Sequence, residues 1–195
     1  MQLFLALVLF LLEFFAWLKS LFTTAKPESL NTAANDNVNA DFVPTELNAG
    51  ISFHNNLVTD LKNDHQHLLG LYTSVLESID KAQYAKITGQ LETFKIDFNA
   101  HLTAENIKFY GYLEQVLREE DNGTDYANMR KFRREMNSIA NAVNKFLNNW
   151  ITAGIDSTNV VEFKTELEGI GAALVKRIES EETTLYPIYH DKNAA

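Results

Sequence analysis

The feature that most constrains this chain is a helical stripe that recurs 76 residues later (177 − 101 = 76). Segment 101–111, His-Leu-Thr-Ala-Glu-Asn-Ile-Lys-Phe-Tyr-Gly, returns in altered form at 177–187 as Arg-Ile-Glu-Ser-Glu-Glu-Thr-Thr-Leu-Tyr-Pro. In each copy the key positions alternate spacings of three and four, which places them on one helix face. That face carries four polar side chains among apolar ones: His101, Glu105, Arg177 and Glu181. Inside a bundle each of them needs a metal, a counter-charge or a hydrogen-bond partner.

A second repeat, with an offset of 71 residues (136 − 65 = 71), relates two further stripes. The first runs over positions 58, 61, 65, 68, 72, 75 and 79, and the second over 129, 132, 136, 139, 143, 146 and 150. His65 lies on the first stripe, and its counterpart on the second is Met136. Helices are expected from about 51 to 79, 83 to 119, 125 to 150 and 159 to 189. They predict an all-α, antiparallel up-down-up-down four-helix bundle made of two helix pairs.

Composition excludes several classes of function. The net charge of −9 disfavours a nucleic-acid partner, which would require a basic face. Because there are no cysteines, disulfides, thiolate metal sites and a cysteine nucleophile are all excluded. The sequence shows neither a Gly-rich phosphate loop nor a nucleophile motif, so we expect a binding or sensing domain and not an enzyme.

The N-terminus differs in character from the rest. Residues 3–18 are apolar except for Glu13, and about 20 such residues can cross a bilayer as a helix. We interpret residues 1–22 as a membrane-anchor-like apolar helix, 23–48 as a polar, flexible linker, and 49–195 as the bundle.

The topology of this N-terminal segment is less constrained. Lys19 and Lys26 follow it, and the positive-inside tendency then predicts a single pass through the inner (cytoplasmic) membrane with the bundle in the cytoplasm. A cleaved signal peptide, with cleavage near residues 23–25, would make the protein secreted or periplasmic. A helix that lies in the interface or binds a partner is a third interpretation.

Four of the inward polar residues are candidate metal ligands. His101 and Glu105, at i and i+4, are neighbours on one helix face, and imidazole with carboxylate suits iron, zinc or manganese. His65 from the adjacent helix and Glu181 from the duplicated one complete a predicted set of four.

These residues resemble a known family. Asp64-His65, His101-x-x-x-Glu105 and Glu181-Glu182-x-x-Leu-Tyr-Pro187 are similar to the hemerythrin-type HHE cation-binding domain over about residues 54–190. In that family each helix pair supplies a histidine and a His-x-x-x-Glu, which hold a non-haem di-iron centre. The resemblance implies an iron cofactor, with one or two ions or none, and oxygen or nitric oxide as possible ligands.

Two departures from the family pattern leave an alternative open. Met136 and Arg177 stand where the family has histidines, and arginine cannot ligate a metal. Arg177 could instead pair with Glu181 or Glu105 in a metal-free polar network. The segment 162–181 is also similar to the last helix of the regulator of sigma D family, which implies a bundle that binds a protein partner. His54 is a candidate for a missing ligand.

Overall fold

The computed structural model describes residues 51–193, and these residues form four helical rods with no strand among them. The first rod is α1 (Leu57–Asp80), and the third is α4 (Gly123–Ala153). The second rod consists of α2 (Tyr84–Ala104), a π-helical segment (Glu105–Tyr110) and α3 (Gly111–Glu119). The fourth rod consists of α5 (Val160–Ser180), a second π-helical segment (Glu181–Leu185) and a 3-10 turn (Tyr186–Ile188). The predicted apolar helix and linker, 1–22 and 23–48, lie outside the described residues. Within 51–193, no helix has the length and apolarity needed to cross a bilayer.

The rods end where the sequence predicts turns. Ala82 and Asp121 both have a φ of 52°, in the left-handed region that stops a helix. Asn122 then caps α4, because its side-chain oxygen accepts a hydrogen bond from the backbone N–H of Asp125 at 3.2 Å. One predicted boundary is wrong: the first helix begins at Leu57 and not near Ile51.

Adjacent rods run antiparallel, as contacts between side chains show. Residue numbers rise along one rod as they fall along its neighbour. The contacts are His65–Glu182 and Asp80–Lys164 between the first and fourth rods, His67–Asp97 and Ser74–Gln90 between the first and second rods, and Arg133–Glu114 and Lys95–Asn148 between the second and third rods. The predicted up-down-up-down topology of the bundle is therefore confirmed.

The interior divides into two apolar clusters. Core I includes Leu68, Phe98, Met136, Val143 and Leu174, and core II includes Leu61, Phe109, Met129, Leu185 and Tyr186. Between them along the stripes lie five buried polar residues, which we call the polar layer: His65, His101, Glu105, Arg177 and Glu181. Apolar burial on both sides stabilises the bundle, so the polar layer is held in a low-dielectric environment.

Candidate metal centre

The structure brings together all four residues that the sequence singles out as candidate ligands. His65, His101, Glu105 and Glu181 are exposed by only 2%, 4%, 0% and 2%, and Arg177 by 5%. The repeated stripe therefore points inward as predicted, and the layer receives side chains from α1 and from the second and fourth rods.

Both glutamates of the layer begin a π-helical segment. Glu105 opens the segment Glu105–Tyr110, and Glu181 opens Glu181–Leu185. A π-helix inserts an extra residue into a helical turn and is frequently found at functional sites. The repeat in the sequence is thus also a repeat in an unusual backbone geometry, located at the two carboxylates.

The two histidines are held from outside through their Nδ1 atoms. Nδ1 of His65 lies 2.9 Å from a carboxylate oxygen of Glu182, and Nδ1 of His101 lies 3.4 Å from one of Asp64. The two imidazole rings are 4.8 Å apart between centroids. Such carboxylate–histidine pairs typically fix a metal-binding imidazole, because a proton on Nδ1 leaves the lone pair on Nε2.

The Nε2 atom of His65 faces one residue of the polar layer and one of core II. It lies 3.4 Å from Glu181 and 3.4 Å from the hydroxyl of Tyr186. Burial lowers the pKa of His65, but its contacts with Glu181 and Glu182 more than compensate, so that the net shift is upward. For His101 burial dominates and the charge of His65 adds to it, so the pKa of His101 falls.

Glu105 is the least satisfied group in the layer. Its Oε1 accepts a hydrogen bond from the Tyr186 hydroxyl at 3.2 Å, whereas its Oε2 is buried and has no hydrogen-bond partner among the described residues. Burial, with a further contribution from the charge of Glu181, raises the pKa of Glu105 to about 8.

Glu181, by contrast, is fully engaged. Its Oε1 accepts a hydrogen bond of 2.5 Å from Nε of Arg177, one helical turn earlier. The guanidinium also donates through Nη2 to the hydroxyl of Tyr110 at 2.9 Å and lies over the ring of Phe132 at 4.9 Å. Burial would raise the pKa of Glu181, but the hydrogen bond with His65 and the charge of Arg177 hold it below its ordinary value. Of the two partners that the sequence allowed for Arg177, the structure selects Glu181.

The four candidate donors suit a cation by their chemistry but are not arranged around a common point. Among residues 51–193, no three histidine or carboxylate side chains are arranged as a metal-binding group, since Glu181 turns toward Arg177 and Glu105 toward Tyr186. Imidazole and carboxylate are nevertheless ligands that suit iron, zinc or manganese, and Oε2 of Glu105 has no hydrogen-bond partner among the described residues.

Sequence reasoning missed how four other residues support the layer: Asp64, Tyr110, Glu182 and Tyr186. The repeat carried a signal for the tyrosines, because positions 110 and 186 are equivalent. Their roles cross between the helix pairs: Tyr110 accepts from Arg177, and Tyr186 donates to Glu105. His54 is exposed before α1, where its backbone N–H donates to Tyr189, so it does not reach the layer.

A four-helix bundle with buried histidines and carboxylates between two apolar clusters belongs to a class that builds cofactor sites from facing helices. The family model of the hemerythrin HHE cation binding domain matches residues 56–189. The chain belongs to this family, which confirms the resemblance seen in the sequence. No curated protein and no solved structure matches the chain significantly.

Proposed function

We propose that the bundle binds a single cation, with iron as the expected metal, through His65, His101, Glu105 and Glu181. The observation that carries the proposal is the buried Oε2 of Glu105, which has no hydrogen-bond partner within residues 51–193. An unpaired buried carboxylate oxygen is costly, and a cation would satisfy it. The outer contacts of the histidines with Glu182 and Asp64 support the same proposal.

Arg177 limits the site to one cation. Its guanidinium already supplies a positive charge to Glu181. A metal ion can displace a proton from a ligand, but it cannot displace this permanently charged side chain. In the second helix pair Arg177 therefore occupies Oε1 of Glu181, and Oε2, which lies 3.4 Å from Nε2 of His65, is the oxygen that a cation would contact. The first pair lacks such a cation, and the metal would take that role there.

We propose binding or sensing as the biological role. A bound iron would supply a Lewis-acid centre for which oxygen and nitric oxide are the ligands to test. The protein residues hold the imidazoles by their Nδ1 atoms, keep water out through the two apolar cores, and retain one carboxylate beside Tyr186.

Elemental analysis tests this function directly. The full-length chain, purified in mild detergent without chelator, should hold or take up about one metal per chain on titration with Fe(II) without air. His101→Ala should lose it, because one of two imidazoles is removed. His67→Ala is the matched control, since His67 is exposed and pairs with Asp97 outside the polar layer. Metal content that is unchanged in His101→Ala would refute the site.

We also propose that residues 1–22 tether the bundle to the inner membrane, with the bundle in the cytoplasm. The proposal is supported by the apolar run over 3–18 and the lysines that follow it. Deleting residues 1–25 should move the protein from the membrane fraction to the soluble fraction. Continued sedimentation with membranes would contradict it, and recovery of a shortened chain outside the cytoplasm would favour a cleaved signal.

A second candidate function is a metal-free regulatory module that binds a protein partner. The hydrogen bonds that join Arg177 to Glu181 and Tyr110 favour it, because they satisfy the second helix pair without a cation. A stable chain that takes up no metal under any of these conditions would favour this candidate. Binding of a purified primary sigma factor would then be the next measurement.

A further inference from the structure

A cavity of about 30 Å³ adjoins the polar layer on the side of core I. The ionisable residues that border it are His65, His101, Arg177 and Glu181, and most of the remaining lining is apolar, as at Met136. This volume accommodates one small molecule. Its walls are almost entirely carbon, and the charge of Arg177 is already matched by Glu181, so the cavity suits an uncharged occupant.

The cavity comes nearest to solvent between α1 and α5. Leu69, Tyr72 and Ile178 line it there and are all partly exposed. Its other walls, including Phe94, Phe98 and Met136, are buried. A molecule entering by the shortest route would therefore pass between α1 and α5.

Tyr72 covers this route because its ring crosses α5 at Gly171. A Cβ atom at position 171 would overlap the phenol ring and hydroxyl of Tyr72, so only glycine permits the contact. Burial, together with the nearby charge of Glu168, raises the pKa of Tyr72 to about 12, and the side chain is therefore uncharged at neutral pH. Rotation of this one side chain would open the route while both helices stay in place.

We propose that this cavity is a pocket for a small uncharged molecule, entered between α1 and α5, and that Tyr72 lying across Gly171 is its cover. Delivery of that molecule to a bound cation rests on the function proposed above. The existence of the pocket and its cover does not, so it can be tested in the metal-free protein.

Met136 is a built-in reporter of entry. Met136 lines the cavity, whereas Met129 lies in core II and is 0% exposed. Hydrogen peroxide is a small uncharged oxidant that converts methionine to the sulfoxide. The sulfur attacks one peroxide oxygen, the O–O bond breaks, an S=O bond forms, and the other oxygen leaves as water.

The experiment follows oxidation of both methionines by peptide mass spectrometry in the full-length, detergent-solubilised chain, with chelator present. Met136 should react faster than Met129 with hydrogen peroxide, and this difference should shrink with the bulkier tert-butyl hydroperoxide. Tyr72→Ala should raise the rate at Met136 roughly tenfold and leave Met129 unchanged, because it removes only the cover. Gly171→Ala, which displaces the ring, should act in the same direction.

Two control variants separate entry from loosening of the bundle. Tyr72→Phe keeps the ring and should behave as wild type. Tyr84→Ala removes another partly buried tyrosine that packs on core I but does not line the cavity, so Met136 should not respond. Unchanged oxidation of Met136 in Tyr72→Ala, or an equal rise at Met129, would overturn the proposal.

The pocket and the cation site can fail separately. If the chain takes up iron but the oxidation rate of Met136 is unchanged in Tyr72→Ala, the proposed function stands and the pocket is refuted. If the chain takes up no metal but Met136 is oxidised faster in Tyr72→Ala, the pocket stands and the cation site is refuted.

Discussion

The two helix pairs of this bundle share a backbone but differ in their polar chemistry. Each pair breaks into a π-helical segment at its glutamate, at Glu105 in one and Glu181 in the other. The first pair contributes two imidazoles and a carboxylate that keeps one oxygen unpaired. The second contributes Met136, Arg177 and Glu181. The guanidinium of Arg177 donates hydrogen bonds to Glu181 and to the hydroxyl of Tyr110.

The comparison teaches that neighbours, and not residue type, set the state of these equivalent carboxylates. Burial raises the pKa of Glu105 to about 8, whereas His65 and Arg177 hold that of Glu181 below its ordinary value despite similar burial. Glu181 is therefore held ionised by its neighbours, whereas Glu105 holds a proton in the metal-free fold at neutral pH. In the function proposed above, a metal would replace that proton.

The largest expected effect separates the two glutamates. Glu181→Gln should destabilise the metal-free bundle by about 3–5 kcal/mol, because it leaves the buried charge of Arg177 without its partner. Urea denaturation measures the free energy of unfolding. A denaturation curve equal to that of wild type would mean that Arg177 is neutralised elsewhere, and the contrast between the halves would fail.

The two equivalent tyrosines sharpen the comparison further. Tyr110→Phe should cost about 1.5–3 kcal/mol, since the lost hydrogen bond comes from a charged guanidinium. Tyr186→Phe should cost about 0.5–1.5 kcal/mol, because its carboxyl partner is mostly protonated at neutral pH. Thermal or urea unfolding of the two metal-free variants gives the order, and a reversed order would contradict this assignment of charge.

One substitution in the layer is expected to increase stability, by an amount comparable to the cost of Tyr186→Phe. Glu105→Gln removes a group whose ionisation is disfavoured in the fold, and it should stabilise the metal-free protein by about 1–2 kcal/mol above pH 8. The direction of this effect follows from the raised pKa of Glu105. The stability that its protonated carboxyl contributes to the folded state is fully present below about pH 4.5 and is lost as the pH rises through about 8.

Free energies of unfolding at about pH 5 and pH 8.5 check this prediction. The advantage of Glu105→Gln over wild type should be small at the lower pH and larger at the higher one. An advantage that does not change with pH would show that the carboxyl is already ionised throughout, and hence that it is paired.

Much of the architecture could be predicted from the sequence. The stripes of alternating three and four placed five polar residues inside, and the Asp121-Asn122-Gly123 turn predicted the break before α4. Periodicity predicts burial well here because every residue on the core-facing stripe of a long amphipathic helix points into the interior. The start of the first helix was misplaced by six residues (57 − 51), since apolar spacing continues before the backbone becomes helical.

The π-helical segments could not be predicted, because the hydrogen-bond shift that defines them changes the side-chain pattern by only one residue in a turn. The partner of Arg177 was equally undetermined, since Glu181 and Glu105 both met the requirement for a nearby carboxylate. The crossed hydrogen bonds of Tyr110 and Tyr186 join residues 67 and 81 positions apart (177 − 110 and 186 − 105). Such pairings depend on how the rods are rotated against each other.

The sequence by itself determined that this protein is a four-rod bundle of the hemerythrin type with two histidines, two glutamates and one arginine inside, because helical periodicity and the cost of exposing apolar stripes leave little choice. Only the tertiary structure decided which glutamate is neutralised and which is left with a buried unpaired oxygen, because Arg177 had two carboxylates within possible reach and the packing of the rods determined which one it contacts.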